Sequence, residues 1–211
     1  MSSNEKQFEN LGGLKRTHTC GELRPEHAGA KVVLMGWVNR RRDFGPLTFI
    51  DLRDRAGLCQ VVVDEERNPE SHRRAKQLRA EYVVAVEGKV VMRDPDKQNS
   101  QMPTGKVEVI AQNVHILSDA RTPPFEIGGD KASEDLRLKY RYLDLRSTRM
   151  QRNLRIRHEA TFATRRYLDK NRFLEIETPM LIRSTPEGAR DYVVPSRVSP
   201  GSFYALPQSP Q

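Results

Sequence analysis

The first half of the sequence predicts a small closed β barrel of five strands, an OB-fold, and the second half predicts a helix-led region of different character. Three observations carry the barrel. From Lys31 to Ser118 apolar and polar residues mostly alternate, the period of half-buried strands. Turn residues divide this region into five runs. One short helical segment interrupts it, after the third run and before the fourth, which is the OB order.

Lys31–Arg40 is rich in β-formers and gives the first strand, with Arg40, Arg41 and Arg42 at its end. Gly45-Pro46 marks a turn, and Leu47–Arg53 is the second strand. Arg55-Ala56-Gly57 turns the chain into the third, Leu58–Val63. Asn68 before Pro69 reads as an N-cap followed by proline at the first helical position, so a helix is expected to about Arg79. Tyr82–Met92 and Lys106–Leu117 are the fourth and fifth strands, separated by the polar loop 94–105, DPDKQNSQMPTG. In an OB barrel the face of strands 2 and 3 and the loop between strands 4 and 5 are the usual nucleic-acid surfaces.

Side-chain parity sharpens this. Ile50 and Leu52 share one face of the second strand, while Leu47, Phe49, Asp51 and Arg53 share the other. The face bearing Asp51 and Arg53 is expected to be wet, which leaves Phe49 among polar neighbours. Cys59, Val61 and Val63 form the apolar set of the third strand, and Gln60 points the opposite way. An outward aromatic beside an outward amide can stack one base and hydrogen-bond a base edge. Alternatively Phe49 covers a loop or the barrel end. The arginine run beside this face is either part of the same surface or a solvated basic patch.

Composition agrees with a charged surface around a modest core: 36% of residues are apolar and 30% charged. The formal net charge of +8 favours a polyanionic partner, with simple solubility as the competing explanation. The two cysteines, Cys20 and Cys59, form no Cys-x-x-Cys pair, and the five histidines are scattered, so neither a zinc site nor a disulfide framework is expected. The polar start MSSNEKQFEN is neither a secretory signal nor a transit peptide. The longest apolar stretches, Val32–Val38 and Tyr82–Val86, are too short to span a membrane. A reducing cytoplasm fits.

Residues 119–133 carry two prolines and two glycines and break all periodicity, which reads as a hinge. Ser133 can cap a short helix opened by Glu134 and Asp135. Thr148-x-x-Gln151 matches a capping box, with a long helix expected to about Lys170. Ile156, Ala160, Ala163 and Tyr167 fall on one stripe of that helix, and Asn171 can take the left-handed position at its end. Phe173–Glu177 alternates as a strand that Pro179 ends, and Phe203–Leu206 reads as another strand. The expected organisation is an extension over 1–15, the barrel over 16–118, a hinge over 119–147 and a further domain from 148 to 211.

Several blocks together resemble a known family. GWVNRRRD (36–43) and FIDLRD (49–54) resemble the anticodon-binding barrel of bacterial aspartyl-tRNA synthetases. LKYRYLDLR (138–146) is similar to the entry of their catalytic domain. FLEIETP (173–179) is similar to motif 1 of class II synthetases, a helix and strand ending in a proline at the dimer interface. TPEGARDY (185–192) resembles a mobile loop that closes on aspartate, and FYALPQSPQ (203–211) the strand leading into the aspartate pocket. The matched blocks run in order from about Arg16 to Gln211. One departure is Arg172, where relatives often carry glycine.

The resemblance implies the incomplete start of a class II α/β catalytic domain, an antiparallel sheet with helices, after the barrel. It implies an aspartate–tRNA ligase that uses ATP and Mg²⁺, makes aspartyl-adenylate and charges tRNA(Asp), with tRNA(Asn) left open by Phe44. It implies anticodon contacts at Arg42, Phe49, Gln60 and Glu108, L-aspartate contacts at Glu187, Ser209 and Gln211, and a homodimer interface at Pro179. No catalytic or metal-ligating residue is assigned. Motifs 2 and 3 and a lysine expected after Gln211 lie outside the sequence, so these 211 residues are expected to be inactive alone. Two other readings compete: a synthetase of the same subclass for asparagine or lysine, and a stand-alone OB nucleic-acid-binding module.

Overall fold

The computed structural model describes residue 8 and residues 11–129, 131–184 and 190–208. They fall into two compact units, Met1–Arg152 and Asn153–Gln211. In the first, β1 (Lys31–Phe44), β2 (Leu47–Asp54), β3 (Gly57–Asp64), β4 (Val83–Met92) and β5 (Val107–Ser118) close into a barrel ordered β1-β2-β3-β5-β4. Neighbours are antiparallel except β3 and β5, whose parallel pairing sets Val61 beside Val109 and Val62 beside Ile110. That closure brings β3 and β5, distant in sequence, side by side.

The core is the inward parity of the strands. Leu34 and Val38, Ile50 and Leu52, Val61 and Val63, Val84 and Val86, and Val109 and Val114 are all buried. Burial of side chains this size contributes about 1.5–3 kcal/mol each. Backbones approach closely at two glycines. A Cβ at Gly36 would lie 2.3 Å from the Arg53 carbonyl oxygen, and one at Gly88 2.5 Å from that of Ile110. Asp54 organises the β2–β3 hairpin, its Oδ1 accepting from Ala56 N at 2.8 Å while Oδ2 accepts from Cys20 N at 2.7 Å.

β1 runs four residues further than the alternation predicts, to Phe44. Its register on β2 shifts between Val38 and Arg40, leaving Asn39 as an extra residue. Such a bulge increases local twist and re-aims the strand that follows. Beyond it the arginine run stays paired, Arg40 to Asp51, Arg41 to Ile50 and Arg42 to Phe49.

The helix α1 (Pro69–Gln77) is capped as expected, Asn68 Oδ1 accepting from Ser71 N at 2.9 Å. On β4 and β5, His115 Nε2 lies 2.9 Å from Glu87 Oε1. This hydrogen bond, opposed by partial burial and helped by Asn113, holds the Glu87 carboxyl below its ordinary value of 4.5. A depressed carboxyl pKa contributes stability above its unfolded value and loses it as pH falls through the folded one. Urea unfolding from about pH 7 to pH 3 should therefore show His115→Ala losing less stability on acidification than the parent.

After the barrel come α2 (Glu134–Lys139), α3 (Arg141–Asp144) and α4 (Thr148–Lys170). Ser133 caps α2, its Oγ accepting from Leu136 N at 3.3 Å. The α4 cap differs from the expected one. Ser147 takes that place, its Oγ accepting from Met150 N at 3.4 Å, and Thr148 is already helical. Gln151 Nε2 reaches the Leu145 carbonyl instead of closing a box on Thr148.

In the second unit the α4 stripe is exposed at Ile156 and Tyr167. Arg172, not Asn171, takes the left-handed position, with φ +66°. Phe173 N donates to the Leu168 carbonyl at 3.1 Å and Arg172 N to that of Asp169 at 2.9 Å, the paired bonds of a Schellman ending. Asn171 stays within the last turn, its Nδ2 donating to the Tyr167 carbonyl at 2.7 Å. A side chain at positive φ costs about 1–2 kcal/mol. Arg172→Gly should therefore stabilise this helix end by about 1 kcal/mol, seen as a higher midpoint when the helical circular-dichroism signal is followed on heating.

Phe173–Glu177 is not a strand. A strand needs a ladder, and Glu175 instead pairs with α4 through Arg165, whose Nε and Nη2 donate at 2.9 and 2.8 Å. The strands observed are β6 (Val193–Pro195) and β7 (Phe203–Ala205), an antiparallel pair, with Ile182 bridging to Ala205. No helix of the described residues is long and apolar enough to cross a membrane.

Candidate nucleic-acid interface

The outward parity of β2 and β3, the end of β1 and the loop after β4 enclose an open groove of about 720 Å³. Five cationic and three acidic side chains line it, so it favours an anion. Arg42, Phe49, Gln60 and Glu108, separated by up to 66 positions in sequence, all line this groove. Parity explains each. Phe49 and Asp51 alternate with buried Thr48, Ile50 and Leu52, and Glu108 alternates with buried Val107 and Val109. The parallel β3–β5 pairing then delivers Glu108 to Gln60.

The polar groups form one chain of hydrogen bonds. Gln60 Nε2 donates to Glu108 Oε2 at 2.9 Å. Arg42 Nη2 donates to Gln60 Oε1 at 3.3 Å and to Asp51 Oδ1 at 2.8 Å. The Arg42 guanidinium carbon sits 5.9 Å from the centre of the Phe49 ring. The network therefore orients the Gln60 amide, with its N–H side toward the acid and its oxygen toward the arginine. An aromatic face, guanidinium donors and carboxylate acceptors within one groove match the edges and faces of unpaired bases.

Arg93 belongs to the same groove, and the sequence reading passed it over. It is buried, its Nε donates to the Val107 carbonyl at 3.0 Å and lies 3.6 Å from Glu108 Oε2, and its Nη2 has no hydrogen-bond partner among the described residues. Burial draws its guanidinium below the usual arginine range, against the opposing pull of Glu108 and Asp51. Buried polar groups are nearly always satisfied, so a guanidinium N–H with no partner among the described residues, beside the groove, calls for a water or a ligand. The signal available in the sequence was parity: Arg93 shares the outward phase of Val91 at the end of the fourth strand. At the rim, Lys97 Nζ donates to Asp94 Oδ2 at 2.7 Å, and this hydrogen bond raises the lysine pKa. Phe44 is 76% exposed there.

Glu187, Ser209 and Gln211 lie outside the described residues. Pro179 is exposed on the extended segment of the second unit. Among the described residues no three His, Cys, Asp or Glu side chains come together to hold a metal ion.

A closed five-stranded barrel with this groove on strands 2 and 3 defines an OB-fold domain, and residues 32–117 match the family described as OB-fold nucleic acid binding domain. Residues 133–211 match the family described as tRNA synthetases class II (D, K and N). It is 59% identical over 204 residues to an aspartate–tRNA(Asp/Asn) ligase of Caldanaerobacter subterraneus subsp. tengcongensis, covering 96% of this chain and 34% of the relative. It is 56% identical over 202 residues to the ligase of the same name from Acidobacterium capsulatum, covering 95% and 33%. The chain thus spans about a third of the length of these relatives. Among solved structures, an asparaginyl-tRNA synthetase from Pyrococcus horikoshii, complexed with asparaginyl-adenylate, superposes with a TM-score of 0.78 at 27% identity. That match covers 93% of this chain and 43% of the other. An aspartyl tRNA synthetase from Entamoeba histolytica gives 0.73 at 26% identity, covering 86% and 43%.

Proposed function

We propose that this chain is the anticodon-reading and early catalytic part of an aspartate–tRNA ligase. The observation that carries the reading is the gathering of Arg42, Phe49, Gln60 and Glu108 in one cationic groove, in a chain so similar to bacterial ligases of that name. In the reaction the aspartate carboxylate would attack the α-phosphate of ATP and release pyrophosphate, a step for which Mg²⁺ would supply neutralisation of phosphate charge. The terminal ribose hydroxyl of tRNA would then attack the adenylate carbonyl and release AMP. None of the described side chains is assigned to either step. Glu187, Ser209 and Gln211 are proposed for aspartate, and Pro179 for a homodimer interface in a cytoplasmic enzyme.

In the barrel, the Phe49 ring stacks one anticodon base. Gln60 and Glu108 offer a donor and an acceptor to base edges, and Arg42 and Arg93 supply cationic donors. The relatives' name covers both tRNA(Asp) and tRNA(Asn), which favours a groove accepting both anticodons. Titration of labelled aspartate and asparagine anticodon stem-loops, at several salt concentrations, tests this. Binding should weaken linearly in log K against log salt, and should exceed that of an unstructured strand of equal composition. Equal affinity for the unstructured strand would leave a generic single-strand binder.

A further inference from the structure

Beyond the groove, the same outward face of the barrel carries a second, drier charge cluster. Glu81, in the turn before β4, is 6% exposed and holds φ +67°, a conformation that side chains rarely adopt. Its carboxylate accepts from Arg53 Nη2 at 2.6 and 2.8 Å and from Arg146 Nη1 at 2.7 Å. Arg146 follows α3 and stands two residues before α4, well beyond the barrel in sequence. Its guanidinium carbon lies 4.6 Å from the centre of the Trp37 ring, and that of Arg53 lies 6.0 Å from it. Arg53 Nη1 also donates to Asn39 Oδ1 at 2.8 Å, at the β1 bulge. Glu81 N donates to the Val38 carbonyl at 2.8 Å, on the other side of that bulge.

We infer that Glu81 is a positioning residue: it clamps Arg146 and the β1 bulge in one network, so the segment after the barrel helps set how β1 delivers Arg40 and Arg42 to the groove. Three features carry this. The carboxylate is shared by two guanidiniums, one from the barrel and one from the segment after it. Backbone strain at a non-glycine site persists where surrounding contacts over-determine it. The bulge, moreover, is held on both sides by this cluster, and the arginine run begins directly after it. Phe49, Asp51 and Arg53 alternate outward along β2, so groove and clamp share one sheet face. Arg40 lines both the groove and the cleft beside Glu81.

The experiment uses the 211-residue chain without RNA, so its outcome is independent of the proposed function. Trp37 is the single tryptophan, and its emission reports the clamp. Arg146→Ala and Glu81→Gln should shift Trp37 emission to the red. Each should also speed amide exchange at Asn39–Phe44 about tenfold, with exchange in the β4–β5 ladder held within twofold. Arg146→Lys keeps the charge but not the planar fork, and should restore part of the protection. Uniform acceleration across the barrel would mean a merely structural ion pair and would overturn the inference. Unchanged exchange at 39–44 would overturn it as well. An anticodon stem-loop titration of Arg146→Ala adds a functional readout, with a loss of about five- to tenfold in affinity expected although Arg146 lies outside the groove.

Discussion

Phe49→Ala should remove about 1–3 kcal/mol of anticodon stem-loop binding, the scale of one base stacked on an aromatic side chain. The ring stands on the outward parity of β2, half-buried within the groove, and the Arg42 guanidinium lies over it at 5.9 Å. Its inward neighbours Thr48 and Ile50 are fully buried, so the core loses nothing directly when the ring is removed. The barrel should therefore keep its thermal midpoint while affinity falls. Phe49→Tyr should retain most of the binding, because it preserves the π face, and Phe49→Leu should not, because it preserves only apolar bulk. An Ala effect below about 0.3 kcal/mol would take Phe49 off the reading surface and leave it as a cover for the barrel wall.

The placement of that ring was legible because a half-buried strand has a period of two and its core face is unambiguous. The same rule placed Gln60, Glu108 came only from the family resemblance, and the helix cap at Asn68 followed from local chemistry alone. Features that depend on a partner distant in sequence were not legible. The extra residue at Asn39 appears only when β1 is laid against β2, and the length of β1 depends on the same pairing. The role of Glu81 depends on Arg53 and Arg146, and nothing near it in sequence marks it. Phe173–Glu177 alternates as a strand should, but alternation states which face is apolar and does not supply a neighbour. At the end of α4, asparagine is the better left-handed residue by propensity. The Schellman bonds nevertheless require the residue one position later, which is Arg172.

Arg93 carries the other large expected effect, and it separates structure from function more sharply than Phe49. Its burial and its orphaned Nη2 are both costs to the free chain. Replacing a buried charged group with an apolar one of similar length is often neutral for stability, because the lost hydrogen bonds are offset by relief of desolvation. Arg93→Met gives up the bond to the Val107 carbonyl and the contact with Glu108 but also removes that unpaired N–H. Its unfolding free energy should therefore stay within about 1.5 kcal/mol of the parent. Stem-loop affinity, by contrast, should fall by about 1.5–3 kcal/mol, the worth of a charge-assisted hydrogen bond, or roughly ten- to hundredfold. An arginine retained for folding would give the opposite pattern, a large loss of stability with affinity following only from the unfolded fraction. The salt dependence then identifies the ligand atom. If Nη2 meets a phosphate, the slope of log K against log salt should drop by about one in the variant. If it meets a base edge, the slope should hold and discrimination between anticodons should relax.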